Sequence, residues 1–184
     1  AHLVGQALGR HLGGAAKVAD LGVDAAVDEH AGRLQVAVRD GAAVAVKRLQ
    51  KQHINRGSLA AFKAELELSL VLRHPNVISI LGGCWTLDDA NVCIVLELAE
   101  RGTLESLIFD PSEGATQLSW SAHKLPIAIG IARGMGYLHA HRPALAHRDL
   151  KPANVLIDGG FNAKIGDFGC AAEVPPEGLA DQMG

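Results

Sequence analysis

The sequence predicts an α+β chain of two lobes, with strands and one helix in the first and helices followed by short strands in the second. Three observations predict it. Short apolar runs bounded by turn residues crowd the first half, at 44–49, 77–81 and 92–96. A single stretch of helical period, 59–72, lies among them. After Arg101-Gly102 the texture changes to helical periods and brief apolar runs. Elements segregated in this way belong to an α+β chain, not to a βαβ alternation. With 184 residues, 48% of them apolar, the chain can build one ordinary domain or two small lobes with a real core.

Taken in order, residues 1–43 are rich in Ala and Gly and weakly patterned. Val44-Ala45-Val46-Lys47-Arg48-Leu49 alternates as a half-buried strand should. Asn55-Arg56-Gly57-Ser58 reads as a turn whose Ser58 caps a helix over 59–72, with Phe62, Leu66 and Leu70 on its apolar face. His74-Pro75-Asn76 stops that helix. Two strands follow, 77–81 and 92–96, with the polar turn 87–91 before the second. A short connector near residues 98–102 leads to Thr103, which caps a helix through Ile108. The longer helix 125–139 is dense in apolar residues and is expected to be mostly buried. Val155-Leu156-Ile157 and Ala163-Lys164-Ile165, joined through Asp158-Gly159-Gly160, complete the pattern, and there are no internal repeats.

Bulk properties narrow the function. The net charge of −3 and the absence of a Lys/Arg-rich tract speak against nucleic acid as the main partner. No run approaches the roughly 18 apolar residues that span a bilayer, and the first residues do not read as a signal peptide. Cys84, Cys93 and Cys170, scattered and odd in number, suggest a reducing compartment. The chain lacks an initiating Met and does not end as a natural stop, and is expected to be a piece of something longer.

The chemistry-bearing residues begin with Lys47, at the end of an apolar strand, and Glu65, on the helix that follows. A lysine positioned by a glutamate is a good fixed cation for a polyphosphate, although each alone is more simply a surface charge. The run His147-Arg148-Asp149-Leu150-Lys151-Pro152-Ala153-Asn154 packs a carboxylate, a cation and an amide into one loop. Its Asp149 can accept a hydroxyl proton, Lys151 can meet a phosphoryl group, and Asn154 can ligate a metal. Asp167-Phe168-Gly169 supplies a second hard oxygen ligand suited to Mg²⁺.

In this order and spacing these residues resemble the protein-kinase signature set, over nearly everything from Val44 to Gly169. The resemblance implies a two-lobed fold: a small lobe over 1–98 with an antiparallel sheet plus one helix, and a partial, mostly helical large lobe over 99–184. It implies ATP and Mg²⁺ as cofactors and a protein substrate bearing Ser or Thr. It also implies the roles. Asp149 orients the substrate hydroxyl and accepts its proton, Lys151 neutralises the γ-phosphate, Asn154 and Asp167 hold magnesium, and Lys47, paired with Glu65, holds the α- and β-phosphates. Leu96-Glu97-Leu98-Ala99 resembles the hinge that binds adenine, with Leu96 as gatekeeper, and Ala45 and Leu156 sandwich the purine. Lys151-Pro152 is similar to Ser/Thr kinases, since tyrosine kinases usually place Ala or Arg at the first position. Leu81-Gly82-Gly83-Cys84-Trp85, Leu118-Ser119-Trp120 and Gly136-Tyr137-Leu138-His139 resemble the tyrosine-kinase-like group of Ser/Thr kinases.

The sequence departs from the family in three places. For the glycine-rich loop the best candidate is Gly13-Gly14-Ala15-Ala16-Lys17-Val18, with Ala16 in the third glycine's place; a rival placement begins at Leu21-Gly22. Ser69 stands where the family has a bulky apolar residue, in a spine otherwise made of His147, Phe168 and Ile80, which implies weaker packing of the helix that carries Glu65. The chain also stops before the rest of the large lobe, so the piece alone is expected to be poorly stable and weakly active. Arg148 resembles kinases switched by a phosphate in the activation segment, yet 170–184 holds no Ser, Thr or Tyr.

Bland readings accompany these: Cys170 as a buried, inert cysteine, Trp85 and Trp120 as packing residues, and His147 as a packed structural histidine. The expected function is a cytoplasmic Ser/Thr kinase. The alternatives are a pseudokinase that binds nucleotide or scaffolds, and a small-molecule phosphotransferase of related fold.

Overall fold

In a computed structural model, the structure describes residues 23–25, 34–39, 42–48, 56–86, 91–109 and 118–175. Candidate glycine-loop residues Gly13, Gly14, Ala16 and Val18, and the rival Leu21-Gly22, lie outside the described residues. The chain forms two compact units, Ala1–Val71 with Ser79–Leu98, and Leu72–Ile78 with Ala99–Gly184.

The first unit is built on a five-stranded antiparallel sheet of β1 (Val23–Ala25), β2 (Leu34–Arg39), β3 (Ala42–Arg48), β4 (Ile80–Thr86) and β5 (Asn91–Glu97), ordered β1-β2-β3-β5-β4. Val44, Ala45 and Val46 are all buried, as are Cys93 through Leu96. Strand β3 is therefore covered on both faces, against the half-buried strand its alternation predicts. Helix α1, Arg56–Val71, begins before Ser58, which falls inside its first turn and so is not the N-cap. Its buried stripe is Phe62, Leu66 and Ser69, at spacings of four and three. Gly83 lets the helix seat on the sheet: a Cβ there would stand 2.8 Å from Leu66 Cδ2.

The predicted strand at 77–81 is displaced. Strand β4 starts at Ile80 and runs through the glycines to Thr86, while Val77 and Ile78 belong to the second unit. The reason is a competing partner: Ile78 N donates to the Ile165 carbonyl at 2.9 Å, and Val77 bridges Ile165.

In the second unit, helix α2 (Leu104–Phe109) is capped by Thr103, whose Oγ1 accepts from the Ser106 amide at 3.0 Å. A π turn, Trp120–Lys124, capped by Ser119, leads into helix α3, Leu125–Ala140. Strands β6 (Leu145–Ala146) and β9 (Ala172–Glu173) pair with each other, as do β7 (Val155–Ile157) and β8 (Ala163–Ile165), both antiparallel. The core joins Leu107, Leu118, Ile127, Val155, Ile157 and Ala163.

Two expectations fail in helix α3 and the turn before it. Helix α3 is not mostly buried: Ile127, Gly130, Gly134 and Leu138 are, at the three-and-four spacing of one stripe, while Leu125 and Ile129 are exposed. Trp120, expected in packing, is 67% exposed, because the π turn ahead of α3 directs it away from the core. Trp85's side chain lies outside the described residues. Among the described residues, no helix is long and apolar enough to cross a membrane.

Candidate active site

Lys47 sits near the end of β3, opposite Ile94 of β5, where the buried run gives way to a half-exposed position. Its Nζ meets Glu65 Oε1 at 3.3 Å. Glu65 precedes Leu66 on the buried stripe of α1, so helix seating sets the carboxylate's height over the sheet. Ala45 and Leu96 face each other in register and are both buried. Glu97 uses two groups on one residue: its carboxylate accepts from the Ser79 amide at 2.7 Å, and its own amide donates to the Ser79 carbonyl at 3.0 Å. That use of the Glu97 side chain had no signal in the sequence, where only its backbone was expected to matter.

The second unit holds the other predicted residues. Ala99 is buried and its carbonyl accepts from the Gly102 amide; Leu156 is buried on β7. The loop between β6 and β7 gathers Asp149, Lys151 and Asn154. Lys151 Nζ donates to Asp149 Oδ2 at 2.8 Å, and Asn154 Nδ2 donates both to that oxygen at 2.9 Å and to the Asp149 carbonyl at 2.8 Å. The Lys151 hydrogen bond, reinforced by Asn154, holds the Asp149 carboxyl below the ordinary carboxylate range, while partial desolvation opposes the shift. The same bond raises the Lys151 ammonium, to which the charge of Asp167 also contributes. Asp149 is thus an anion at neutral pH, aimed by two donors.

Gly166 ties this loop to Asp167. Its amide donates to the Asn154 carbonyl at 2.9 Å, and its carbonyl accepts from His147 Nε2 at 2.9 Å. His147 Nδ1 accepts from the Asp149 amide at 3.3 Å, which assigns the Nε2–H tautomer to this buried ring. Its ring centroid lies 5.3 Å from that of buried Phe168. His147 is therefore the packed structural histidine its sequence context indicates. Arg148 and Asp167 both adopt left-handed backbone conformations, with φ of 64° and 62°. No glycine announces either bend. Arg148 Nε donates to the Cys170 carbonyl at 2.6 Å. Cys170 is exposed, not buried as expected, because the 3₁₀ turn Phe168–Cys170 sends Phe168 inward instead.

The donor chemistry fits a hard divalent cation. Asn154 spends its amide nitrogen on Asp149, which leaves its amide oxygen as the acceptor, and the Asp167 carboxylate is the second oxygen donor. The structure brings Lys47 to Glu65 in one unit, and Asp149 to Lys151 and Asn154 in the other.

Comparison with known proteins places the chain in a family. The family described as "Protein kinase domain" matches residues 31–184, and the chain belongs to that family. The chain is 41% identical over 138 residues to drkA of Dictyostelium discoideum, a protein named as a serine/threonine-protein kinase; the match covers 75% of this chain and 21% of drkA. It is 40% identical over 131 residues to R831 of Acanthamoeba polyphaga mimivirus, whose name describes a serine/threonine-protein kinase/receptor, covering 71% of this chain and 8% of that protein. With BRASSINOSTEROID INSENSITIVE 1 of Arabidopsis thaliana it shares 38% identity over 135 residues, 73% of this chain and 11% of that protein. The chain spans about a fifth or less of the length of these relatives.

Proposed function

We propose that this chain supplies the ATP-binding and phosphoryl-transfer residues of an intracellular protein serine/threonine kinase. The observation that carries the proposal is the Asp149 carboxylate, oriented by Lys151 and Asn154 within a loop bonded through Gly166 to the segment bearing Asp167. In the reaction, a Ser or Thr hydroxyl oxygen of the protein substrate forms a bond to the γ-phosphorus of ATP. The bond from that phosphorus to the β,γ-bridging oxygen breaks, and ADP leaves with the electron pair. Asp149 orients the attacking hydroxyl and takes its proton. Lys151, held beside Asp149, faces the charge of the transferring group. Lys47, steadied by Glu65, is the cation for the α- and β-phosphates, and Ala45, Leu96, Ala99 and Leu156 offer apolar surface and backbone groups to the purine. A magnesium ion held by Asn154 and Asp167 would neutralise phosphate charge. Lys151-Pro152 favours Ser/Thr over Tyr as acceptor.

The test is transfer of the ATP γ-phosphate to a generic protein substrate by the intact protein and by its Asp149→Asn variant. The expected result is transfer to Ser or Thr that falls at least ~100-fold in the variant. Nucleotide binding without transfer in either protein would overturn the reading in favour of a binding or scaffolding module.

A further inference from the structure

Phe161 stands in the turn between β7 and β8 with φ of 62°, a left-handed conformation that a bulky side chain rarely adopts. Glycine or asparagine would take that position with less strain. Strain of this kind persists only where its surroundings over-determine it, and at Phe161 the surroundings act on the ring. The ring packs against the core that includes Leu107 and Ile127. The His123 ring meets it edge-on, with centroids 4.5 Å apart. The Arg101 guanidinium lies over its face, 3.8 Å from the centroid.

Arg101 belongs to the connector that follows Ala99, and that connector is bound to the same strand and turn. Its amide donates to the Ile157 carbonyl at 3.0 Å, and the Ile157 amide donates to the Gly102 carbonyl at 2.8 Å. Thr103 then bridges Leu156. In the turn, two consecutive side chains hold both main-chain groups of Gly159. Glu100 Oε2 accepts from its amide at 2.6 Å, and Arg101 Nε donates to its carbonyl at 3.3 Å. The inner bonds are main chain and carry no choice of residue. The outer ones depend on the side chains of Glu100, Arg101 and Phe161.

We infer that Phe161 is a positioning residue for ATP: its ring fixes Arg101 and so holds the connector 100–103 on β7, where Ala99 and Leu156 serve the purine. This rests on the functional reading above, which assigns those two residues to ATP. The affinity for ATP then scales with the fraction of time the connector is in place.

The experiment titrates a fluorescent ATP analogue into the intact protein and into its Phe161→Leu, Arg101→Met, doubly substituted and Phe161→Tyr variants. Leucine keeps apolar packing and removes the ring face, whereas tyrosine keeps the face. Binding is expected to weaken about 2- to 30-fold in Phe161→Leu and in Arg101→Met, the range of one cation–π contact. The double variant is expected to lose no more than either single one, and Phe161→Tyr to bind as the unaltered protein does. In phosphotransfer, the Michaelis constant for ATP should rise while the rate at saturating ATP holds. Amide hydrogen exchange at Arg101 and Gly102 should quicken in the same variants. Unchanged ATP affinity in Arg101→Met or Phe161→Leu overturns the inference. So do losses that add in the double variant, or that Phe161→Tyr shares, since either would make Phe161 a packing residue alone. Failure of the unaltered protein to bind the analogue would sink the kinase reading instead. Exchange at Arg101 and Gly102 needs no nucleotide, so it decides even then whether the ring holds the connector.

Discussion

Two glycines on one helix should respond to the same substitution with opposite signs. Gly134 and Gly136 both lie within α3, where replacing glycine by alanine ordinarily gains about 0.5–1 kcal/mol through backbone entropy. A Cβ at Gly136 has nothing within 4 Å, so Gly136→Ala should realise that gain. At Gly134 the added methyl would stand 2.5 Å from the Asn76 carbonyl oxygen and 2.8 Å from Ile165 Cδ1. The first of these is backbone and has no rotamer to yield. That carbonyl also accepts from the Ile165 amide at 2.9 Å, so moving it by the several tenths of an ångström required loosens a bond that anchors β8. Overpacking costs about 1–3 kcal/mol, and a disturbed buried backbone pair adds about 1–3 kcal/mol. The net expectation for Gly134→Ala, after the helix gain, is destabilisation of about 2–4 kcal/mol. Urea unfolding midpoints of the intact protein measure both variants. Because β8 leads into Gly166 and Asp167, phosphotransfer should fall with Gly134→Ala and hold with Gly136→Ala. A Gly134→Ala protein as stable as Gly136→Ala would refute the close approach of α3 to residues 76 and 165.

Two smaller perturbations test the charge and the cap. Lys151→Ala removes the largest cause depressing Asp149, so the Asp149 carboxyl should rise toward its ordinary value and the acid limb of activity should move toward neutrality. The sign follows from the depressed folded value: whatever Asp149 contributes to stability is present above its unfolded pKa and fades as the pH falls through the folded one. NMR titration of the Asp149 carboxyl in both proteins would show it, and an unmoved titration would refute the assignment. Thr103→Ala should cost about 1 kcal/mol by leaving the Ser106 amide without its cap, while Thr103→Ser, which keeps the hydroxyl, should cost nothing measurable. Equal losses in urea unfolding for the two would show that the hydroxyl does not matter.

What the sequence revealed and what it hid divide along physical lines. Strands β3, β5, β7 and β8 were legible because short apolar runs bounded by turns have few other uses. Strand β4 was misplaced because Val77 and Ile78 are as apolar as any strand, yet their partner is Ile165, almost ninety residues on. No local pattern carries that choice. Helix α3 looked buried because composition does not report which face meets a neighbour; two glycines at 130 and 134 mark the face that does. Ser58 has the side chain of a cap, but Arg56 and Gly57 before it are already helical. The charged and amide residues of the site were legible as residue types at a spacing. Their supports were not, because Ser79, Gly166 and Cys170 act through main-chain groups that every sequence possesses.

Gly166 shows how much rests on those supports. The left-handed backbones of Arg148 and Asp167 each cost about 1–2 kcal/mol for a residue with a side chain. Strain of that size persists only where surrounding bonds over-determine it. Here both main-chain polar groups of Gly166 are engaged, the amide by the Asn154 carbonyl and the carbonyl by His147, and the strained residues flank the bonded ones in each segment. A side chain at 166 would also press on Ile78 Cγ2, 3.2 Å from where its Cβ would stand. The loop that aims Asp149 and the segment that presents Asp167 are therefore one hydrogen-bonded piece. Neither segment's backbone can be displaced without breaking a bond made by the other, and this is how a flexible-looking run of polar residues comes to hold a fixed geometry.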